Sequence, residues 1–442
     1  MDSDFHTRLS ARVANLRADA GIPSLLAAVG MRGEPRAVAV AGEANVENRV
    51  VATGESAYRI GAVTKSFTAA VTLLLAERGD LGLDEPVEKH LPGTPFGRVS
   101  PRMLLSHTSG LQREAPTDMW VTMRGPSRAE LREVFSRVAF VAEPGRRWHY
   151  SNLGYAILGQ VIESVCGRSC ESVITDMLFR PLGLTTTSWA PPDNAVVGYR
   201  LDPFVARVHR EPVMDQGAIG VGGQLWSTST DLLRWGYALA GGEPAVLSGG
   251  VVEQMHTPHT MVDASGWTRG WGLGLALERH DHGIVAGHTG VMPGFRSALV
   301  LDRDTGISVA VLANIARGVE PAALATEILI QALGEQSAPT PAEWYPALCP
   351  PHIEPMLGSW WCEADETILR WEADGLHSHL AVDPTASDTR FTEEEPGRFR
   401  AVAGRLRGEL LLVTDTSDGM DLRWAAYPLT RTPRSIGPID PT

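Results

Sequence analysis

Tyr58-Arg59-Ile60-Gly61-Ala62-Val63-Thr64-Lys65-Ser66-Phe67 is the stretch on which the reading of this chain turns. Val63, Phe67, Ala70, Val71, Leu74 and Leu75 recur at helical spacing on one face, and Gly79 stands where a helix end takes a left-handed residue. Lys65 falls one turn after Ala62, and side chains three apart on a helix are neighbours. A helix start offers free backbone N–H groups and the positive end of the dipole. That setting favours an anion and lowers the pKa of a nearby lysine. Taken alone, the segment reads equally as a surface lysine on an amphipathic helix. Composition sharpens it: of 39 basic residues only Lys65 and Lys89 are lysine. Lysine supplies what arginine cannot, an amine able to lose its proton. Lys89, next to His90 in a polar stretch, reads as surface.

Three further segments carry reactive residue types. Ser100-Pro101 is an N-cap and N1 pair for a short helix that stops in Ser106-His107-Thr108-Ser109-Gly110. His107 reads as a loop-holding residue. Trp148-His149-Tyr150-Ser151-Asn152-Leu153-Gly154 precedes a helix with Ile157, Leu158, Val161, Ile162 and Val165 inward and Gly167 at its end. Tyr150 and Asn152, two apart at the helix entrance, point the same way and suit one pocket. The plainer reading is a Ser151 or Asn152 cap with Tyr150 as packing. Gly287-His288-Thr289-Gly290 comes just before a strand at Phe295, with glycines that let a ligand approach the strand edge.

The 442 residues suggest two or three domains. Near the N-terminus, Phe5, Leu9, Val13 and Leu16 mark a helix. Strands follow at Leu25 to Met31 and Arg36 to Ala41, around Arg32-Gly33-Glu34. A second strand pair, Phe295 to Asp302 and Ile307 to Ala313, turns at Asp304-Thr305-Gly306, and a helix spans Pro321 to Leu333. Strands at both ends with helices between predict one antiparallel sheet closed by the two ends of a domain, an α+β layout. Residues 336–355, rich in Pro, Ala, Ser and Thr, read as a linker. Beyond it, short strand-like runs alternate with turns at Asp374-Gly375, Asp383-Pro384, Pro396-Gly397 and Asp418-Gly419, which predicts a small all-β domain, a barrel. The domains are therefore expected at 1–335 and 356–442.

Hydrophobic residues at 43% and charged residues at 21% are those of a globular protein and exclude a disordered tail. A formal charge of −13 argues against nucleic acid or an anionic membrane as partner. The start, MDSDFHTRLSARVANL, lacks a basic region followed by an apolar stretch, and no apolar run reaches about 18 residues. A cytoplasmic location is expected. The four cysteines form no C-x-x-C pair and read as free thiols.

Together the segments resemble the serine β-lactamase and penicillin-binding-protein superfamily, in its class C-like branch. That family carries S-x-x-K, Y-x-N and K/H-T-G in this order. Here they match Ala62-Val63-Thr64-Lys65, Tyr150-Ser151-Asn152 and His288-Thr289-Gly290. The Ser-His-Thr-Ser-Gly loop and Gly222-Gly223-Gln224-Leu225-Trp226-Ser227-Thr228 are similar to it as well. Thr228 with Asp231 reads as a capping box. The resemblance covers about residues 1–335 and implies an acyl-enzyme mechanism without metal or organic cofactor. A serine at 62 would attack a carbonyl, with Lys65 taking its proton and Tyr150, held by Lys65, relaying protons. The backbone N–H groups of 62 and Val291 would form the oxyanion hole. Asn152 would hold the substrate amide, Thr289 and Gly290 would line the substrate, and His288 replaces the usual lysine.

Position 62 is alanine. Thr64 lies about 200° around the helix and Ser66 one turn deeper, so neither is placed to attack. Two readings stand: a serine replaced to trap a complex, which the otherwise complete site favours, or a natural pseudoenzyme. Within the superfamily, the two-domain chain with a lipocalin-like tail most resembles the penicillin-binding-protein-type thioesterases. That resemblance implies off-loading and head-to-tail cyclisation of a nonribosomal peptide, with a peptidyl thioester, presented on a peptidyl carrier protein, as substrate. A cytoplasmic D-aminopeptidase or esterase-type hydrolase and a non-catalytic binding protein are the alternatives.

Overall fold

The computed structural model describes residues 3–433 apart from 203, 206, 337–347, 363, 373–374, 384–387 and 417–418. The chain falls into two compact units, residues 1–339 and 340–442. In the first, helix α1 (Ser3–Asp19) leads into strands β1 (Ser24–Met31), β2 (Glu34–Asn45) and β3 (Val50–Val51). Arg32 and Gly33, both at positive φ, make the two-residue turn between β1 and β2. Helices α2 (Thr64–Glu77), α3 (Asn152–Cys166) and α4 (Ser229–Leu239) belong to the insertion. Six strands close the domain: β4 (Thr260–Met261), β5 (Arg269–Trp271), β6 (Ala276–His280), β7 (Gly283–Met292), β8 (Phe295–Asp302) and β9 (Ile307–Ala313). Helix α5 (Pro321–Gln336) follows.

The sheet runs β3-β2-β1-β9-β8-β7-β6-β5-β4 and is antiparallel. The first and last long strands meet at its centre, Leu25 opposite Ala313 and Met31 opposite Ile307. Both faces are covered, and the period of a strand sorts the side chains between them. Leu25, Ala27 and Val29 of β1 pack with Phe5, Leu9 and Val13 of α1 and Ile328 and Leu329 of α5. Leu26 and Ala28 pack on the other face, in the core that also holds α2, α3 and α4. Each large aliphatic side chain removed from water there contributes about 1.5–3 kcal/mol. That double burial is why β1 and β9 read as near-continuous apolar runs.

The second unit is an up-and-down meander of eight strands among the described residues: β10 (Gly358–Cys362), β11 (Asp365–Glu372), β12 (Gly375–Leu380), β13 (Thr389–Glu395), β14 (Arg398–Gly404), β15 (Leu410–Thr416), β16 (Gly419–Trp424) and β17 (Tyr427–Leu429). Trp361 N–H donates to Thr430 O at 2.7 Å and Thr430 N–H to Trp361 O at 2.9 Å, so the last strand returns to the first. This is the expected lipocalin-like barrel. Trp360, Phe391, Phe399, Leu411, Leu422 and Trp424 fill it. Pro396-Gly397 is a hairpin turn as read; Asp374, Pro384 and Asp418 lie outside the described residues. Of the expected linker, Gln336 still ends α5 and 348–353 are coil and turn, while 337–347 lie outside the described residues.

One expectation needs correcting. Gly287-His288-Thr289-Gly290 is inside β7, not ahead of the strand region. The tight turn Pro293-Gly294 joins β7 to β8, so both sides of it are strand. Its glycines also face protein rather than ligand. A Cβ on Gly290 would lie 1.9 Å from Ile60 O and 2.4 Å from Ser297 Oγ. Gly290 therefore lets β7 press against the turn that starts α2. Gly290→Ala is expected to destabilise the chain by roughly 2–4 kcal/mol, because backbone must shift to admit the methyl group. Urea unfolding of the two proteins measures it.

Candidate active site

A 3₁₀ turn, Gly61–Val63, runs directly into α2. Ala62 is half-buried at that junction, and Lys65 follows in the first turn of α2. The helix is not amphipathic as expected: Thr64 to Leu75 are all buried, and Lys65 is 1% exposed. Lys65 Nζ donates to Asn152 Oδ1 at 2.8 Å and to Gly222 O at 2.7 Å. Burial lowers its pKa to about 7, with Glu114 opposing and Arg113 reinforcing the shift. A substantial fraction is a neutral base at neutral pH.

Tyr150 and Asn152 do share this pocket. Ser151 caps α3, its side chain accepting from Gly154 N–H. The Lys65 nitrogen lies 5.1 Å from the centre of the Tyr150 ring. The expected hold of Lys65 on Tyr150 is thus a ring-face contact, while the hydrogen bonds of the amine go to Asn152 and Gly222. Burial raises the Tyr150 phenol above its usual value; Arg113 opposes this and Glu114 adds to it. His107 holds Tyr150 in place. Its ring lies 4.3 Å from the Tyr150 ring, its carbonyl accepts from His149 N–H, and its Nδ1 accepts from Ser151 N–H. That last bond puts the His107 proton on Nε2.

His288 arrives from β7. Strand β6 pairs with β7 only as far as Gly287, opposite Ala276. Residues 288–292 keep β8 on one side and leave the other edge toward Ala62. His288 is 4% exposed, and its Nδ1 lies 2.7 Å from Thr289 O. A carbonyl only accepts, so Nδ1 carries the proton and Nε2 is a lone pair, without a partner among the described residues. Burial, then Lys65, lowers the His288 pKa to about 3. The imidazole is neutral. Thr289 and Val291 are exposed on the same strand and line the cleft with Ala62. Gly61 has φ 52°, and a Cβ on it would stand 2.9 Å from Val291 N. The two backbones assigned the oxyanion donors therefore touch at this point.

The cleft holds about 370 Å³, with Ala62, Tyr150, Asn152, His288 and Trp271 in its wall. Sequence reading missed Arg113 and Glu114. Asn152 Nδ2 donates to Glu114 Oε1 at 2.6 Å, and the Arg113 guanidinium lies 4.9 Å from the Tyr150 ring centre. The signal available was their place just after the His107 loop, with no periodicity to mark it. Thr64 and Ser66 are both occupied, donating to Gly61 O and Val63 O. The expected capping box at Thr228 is half formed. Thr228 accepts from Asp231 N–H, but the Asp231 carboxylate turns to Thr186 N–H and the Thr187 hydroxyl.

A buried amine, a phenol, a carboxamide and an imidazole meet at a helix start and an open strand edge. The three ordered motifs of the sequence therefore converge here, with Ala62 at the first position of the first one. The family model for Beta-lactamase matches residues 9–333, and the chain belongs to that family. Residues 349–431 match a domain of unknown function, DUF7586. Protein flp of Staphylococcus aureus is 26% identical over 301 residues, 62% of this chain and 56% of flp. The chain thus spans about half the length of the curated relatives that match first. A D-stereospecific amidohydrolase from Streptomyces sp. is 28% identical, with TM-score 0.62, over 74% of this chain and 98% of that one. The octameric penicillin-binding-protein homologue from Pyrococcus abyssi, 24% identical with TM-score 0.65, shares the fold over 96% of this chain and 99% of its own. Among the described residues no helix is long and apolar enough to cross a membrane.

Burying Lys65 weakens the fold. The unfolded amine binds its proton as pH falls below 10.5, the folded one only near 7. The cost grows across that window and reaches about 5 kcal/mol at and below neutral pH. Lys65→Met escapes it but strands two acceptors, at about 1–2 kcal/mol each. The variant is expected to be roughly 1–3 kcal/mol more stable at pH 7, the gain shrinking as pH rises toward 10. Unfolding free energies measured across pH 6–10 check both the sign and the slope.

Proposed function

We propose that this cleft, in its serine form, is a stand-alone thioesterase that off-loads a nonribosomal peptide and closes it head to tail. The observation that carries the reading is the Lys65 amine, buried, brought to a pKa of about 7 and one turn from position 62. A serine hydroxyl there attacks the thioester carbonyl and passes its proton to neutral Lys65. The backbone N–H groups of 62 and Val291 take the developing oxyanion. Collapse breaks the carbon–sulfur bond, and the thiol leaves with a proton relayed through Tyr150. The peptide's amino terminus then attacks the acyl-enzyme, gives up its proton along the same path, and restores the serine.

The uncharged His288 supports a leaving group without a carboxylate, since the third motif offers no cation to pair with one. Similarity to a D-stereospecific amidohydrolase supports a D-configured residue at the acylating end. A peptidyl carrier protein in the cytoplasm presents the substrate in this reading. The same similarity favours a second reading, a D-aminopeptidase or esterase-type hydrolase in which water attacks. With alanine at 62 the chain binds but forms no acyl-enzyme, whether the alanine replaced a serine or is native to a binding pseudoenzyme.

Ala62→Ser is expected to raise turnover of a linear peptidyl thioester ending in a D-residue by roughly 10³-fold or more. Mass spectrometry reads the outcome. A product lighter than the linear acid by one water is the cyclase result. Linear acid alone establishes the hydrolase. No turnover of thioester, ester or D-peptide leaves the binding protein.

A further inference from the structure

Asn152 is the hub between the amine and its surroundings, and its carboxamide is committed at both ends. Glu114 accepts from Nδ2 at 2.6 Å, and Lys65 donates to Oδ1 at 2.8 Å. A carboxylate only accepts, so Glu114 decides which way the amide faces. Were the amide reversed, its NH₂ group would confront the Lys65 amine and its oxygen the carboxylate.

Glu114 is itself fixed. Arg113 O accepts from Asn152 N–H at 2.8 Å and Leu153 N–H at 3.1 Å, filling two free donors at the start of α3. Gln112 Nε2 donates to Glu114 O at 2.8 Å, and Ser151 Oγ donates to Gln112 O at 2.8 Å. The loop is stitched to the helix start through the two residues that precede the carboxylate. The groups that face Lys65 are Tyr150 beside α3, Tyr155 within it, His288 from β7, His107 and Arg113 from the loops, and Glu114. Of these, Glu114 is the one carboxylic acid.

We propose that Glu114 is a positioning residue: it locks the Asn152 carboxamide with its oxygen toward Lys65 and sets a carboxylate across that amide from the amine. The lock leaves Asn152 one N–H for a substrate, so the group it meets there is an acceptor, a carbonyl. The inference deepens the acyl-transfer reading in its consequence for catalysis, and rests on it there. The geometry itself stands without turnover and is tested without it.

The chain has only two lysines, so lysine labelled with ¹³C at Cε gives two titrating signals, and Lys89→Arg assigns them. Glu114→Gln keeps an acceptor for Asn152 and removes the charge. The Lys65 titration is expected to move down by roughly half to one pH unit, with the Asn152 side-chain amide signals unchanged. Glu114→Ala is expected to give the same downward move and to shift the Asn152 amide signals as well. A Lys65 titration that stays in place in Glu114→Gln overturns the electrostatic role. Asn152 amide signals that stay in place in Glu114→Ala overturn the lock. Matching far-UV dichroism in all three proteins excludes a folding defect, and Glu114→Gln, being nearly isosteric, keeps the test open if Glu114→Ala fails to fold. None of these outcomes depends on whether Ala62→Ser restores turnover.

Discussion

An ammonium group cannot be taken out of water unless something in the protein answers it, and Lys65 is taken out almost completely. What answers it comes from far away in sequence: the oxygen of Asn152, 87 residues on, and the carbonyl of Gly222, 157 residues on. Those bonds place the start of α3 and the 217–222 turn against the first turn of α2. The wall they form is apolar on its far side, with Val63, Phe67, Leu153 and Val221 in one continuous core. The amine is therefore both the weakest point of the core and the point that dictates its geometry. Burial keeps water away and so lowers its pKa. The same burial makes the position of each acceptor critical, because a misplaced partner in low dielectric is a full penalty and not a partial one.

The second constraint belongs to the sheet. A strand flanked on both sides has no backbone groups left for a substrate, whereas an edge strand would offer itself to any chain. β7 avoids both by ending its pairing with β6 at Gly287 while β8 continues beside it to Met292. The open edge is five residues long and faces the helix start, covered on its flank by the Gly61–Val63 turn. Gly290 makes this possible, since any side chain there would push the strand off Ile60. The exposed backbone of residues 288–292 is thus a product of where one strand's pairing stops and of the missing side chain at Gly290.

This explains what was legible in the sequence. β1, β8 and β9 were readable almost to the residue, because burial on both faces writes continuous apolar runs and Gly33 and Gly306 punctuate them. The ordered motifs brought Lys65, Tyr150, Asn152 and His288 forward as a set, and the structure gathers them. The strand nature of 287–290 was hidden because glycine, the residue that close approach demands, is also the residue that signals a loop. Asp231 looked like half of a capping box; its actual partners, Thr186 and Thr187, are more than forty residues away and leave no local trace. Glu114 was invisible for the same reason. Its meaning comes from a contact with Asn152, 38 residues on, and nothing in Gln112-Arg113-Glu114 announces it. In the barrel, the Pro396-Gly397 turn was legible, but the closure of Trp361 on Thr430 is a property of the whole meander.

The alanine at 62 separates two things that a serine would merge. Groups that recognise a substrate act in the ground state, while the nucleophile contributes only once bonds begin to change. In the serine form we propose, removing that oxygen would delete the second and spare the first, with the backbone N–H groups, Asn152, Thr289 and the aromatic wall untouched. The amine does not fit that division. Lys65 serves no recognition surface, being 1% exposed, and it weakens the fold at neutral pH by being there. An apolar side chain in its place would spare the fold that cost, though Asn152 and Gly222 would lose their donor. Lys65, with Asn152 and Glu114 arranged to hold it, is an investment that binding does not need. Proton transfer to and from an atom at position 62, the role we propose for it, would give it a physical rationale.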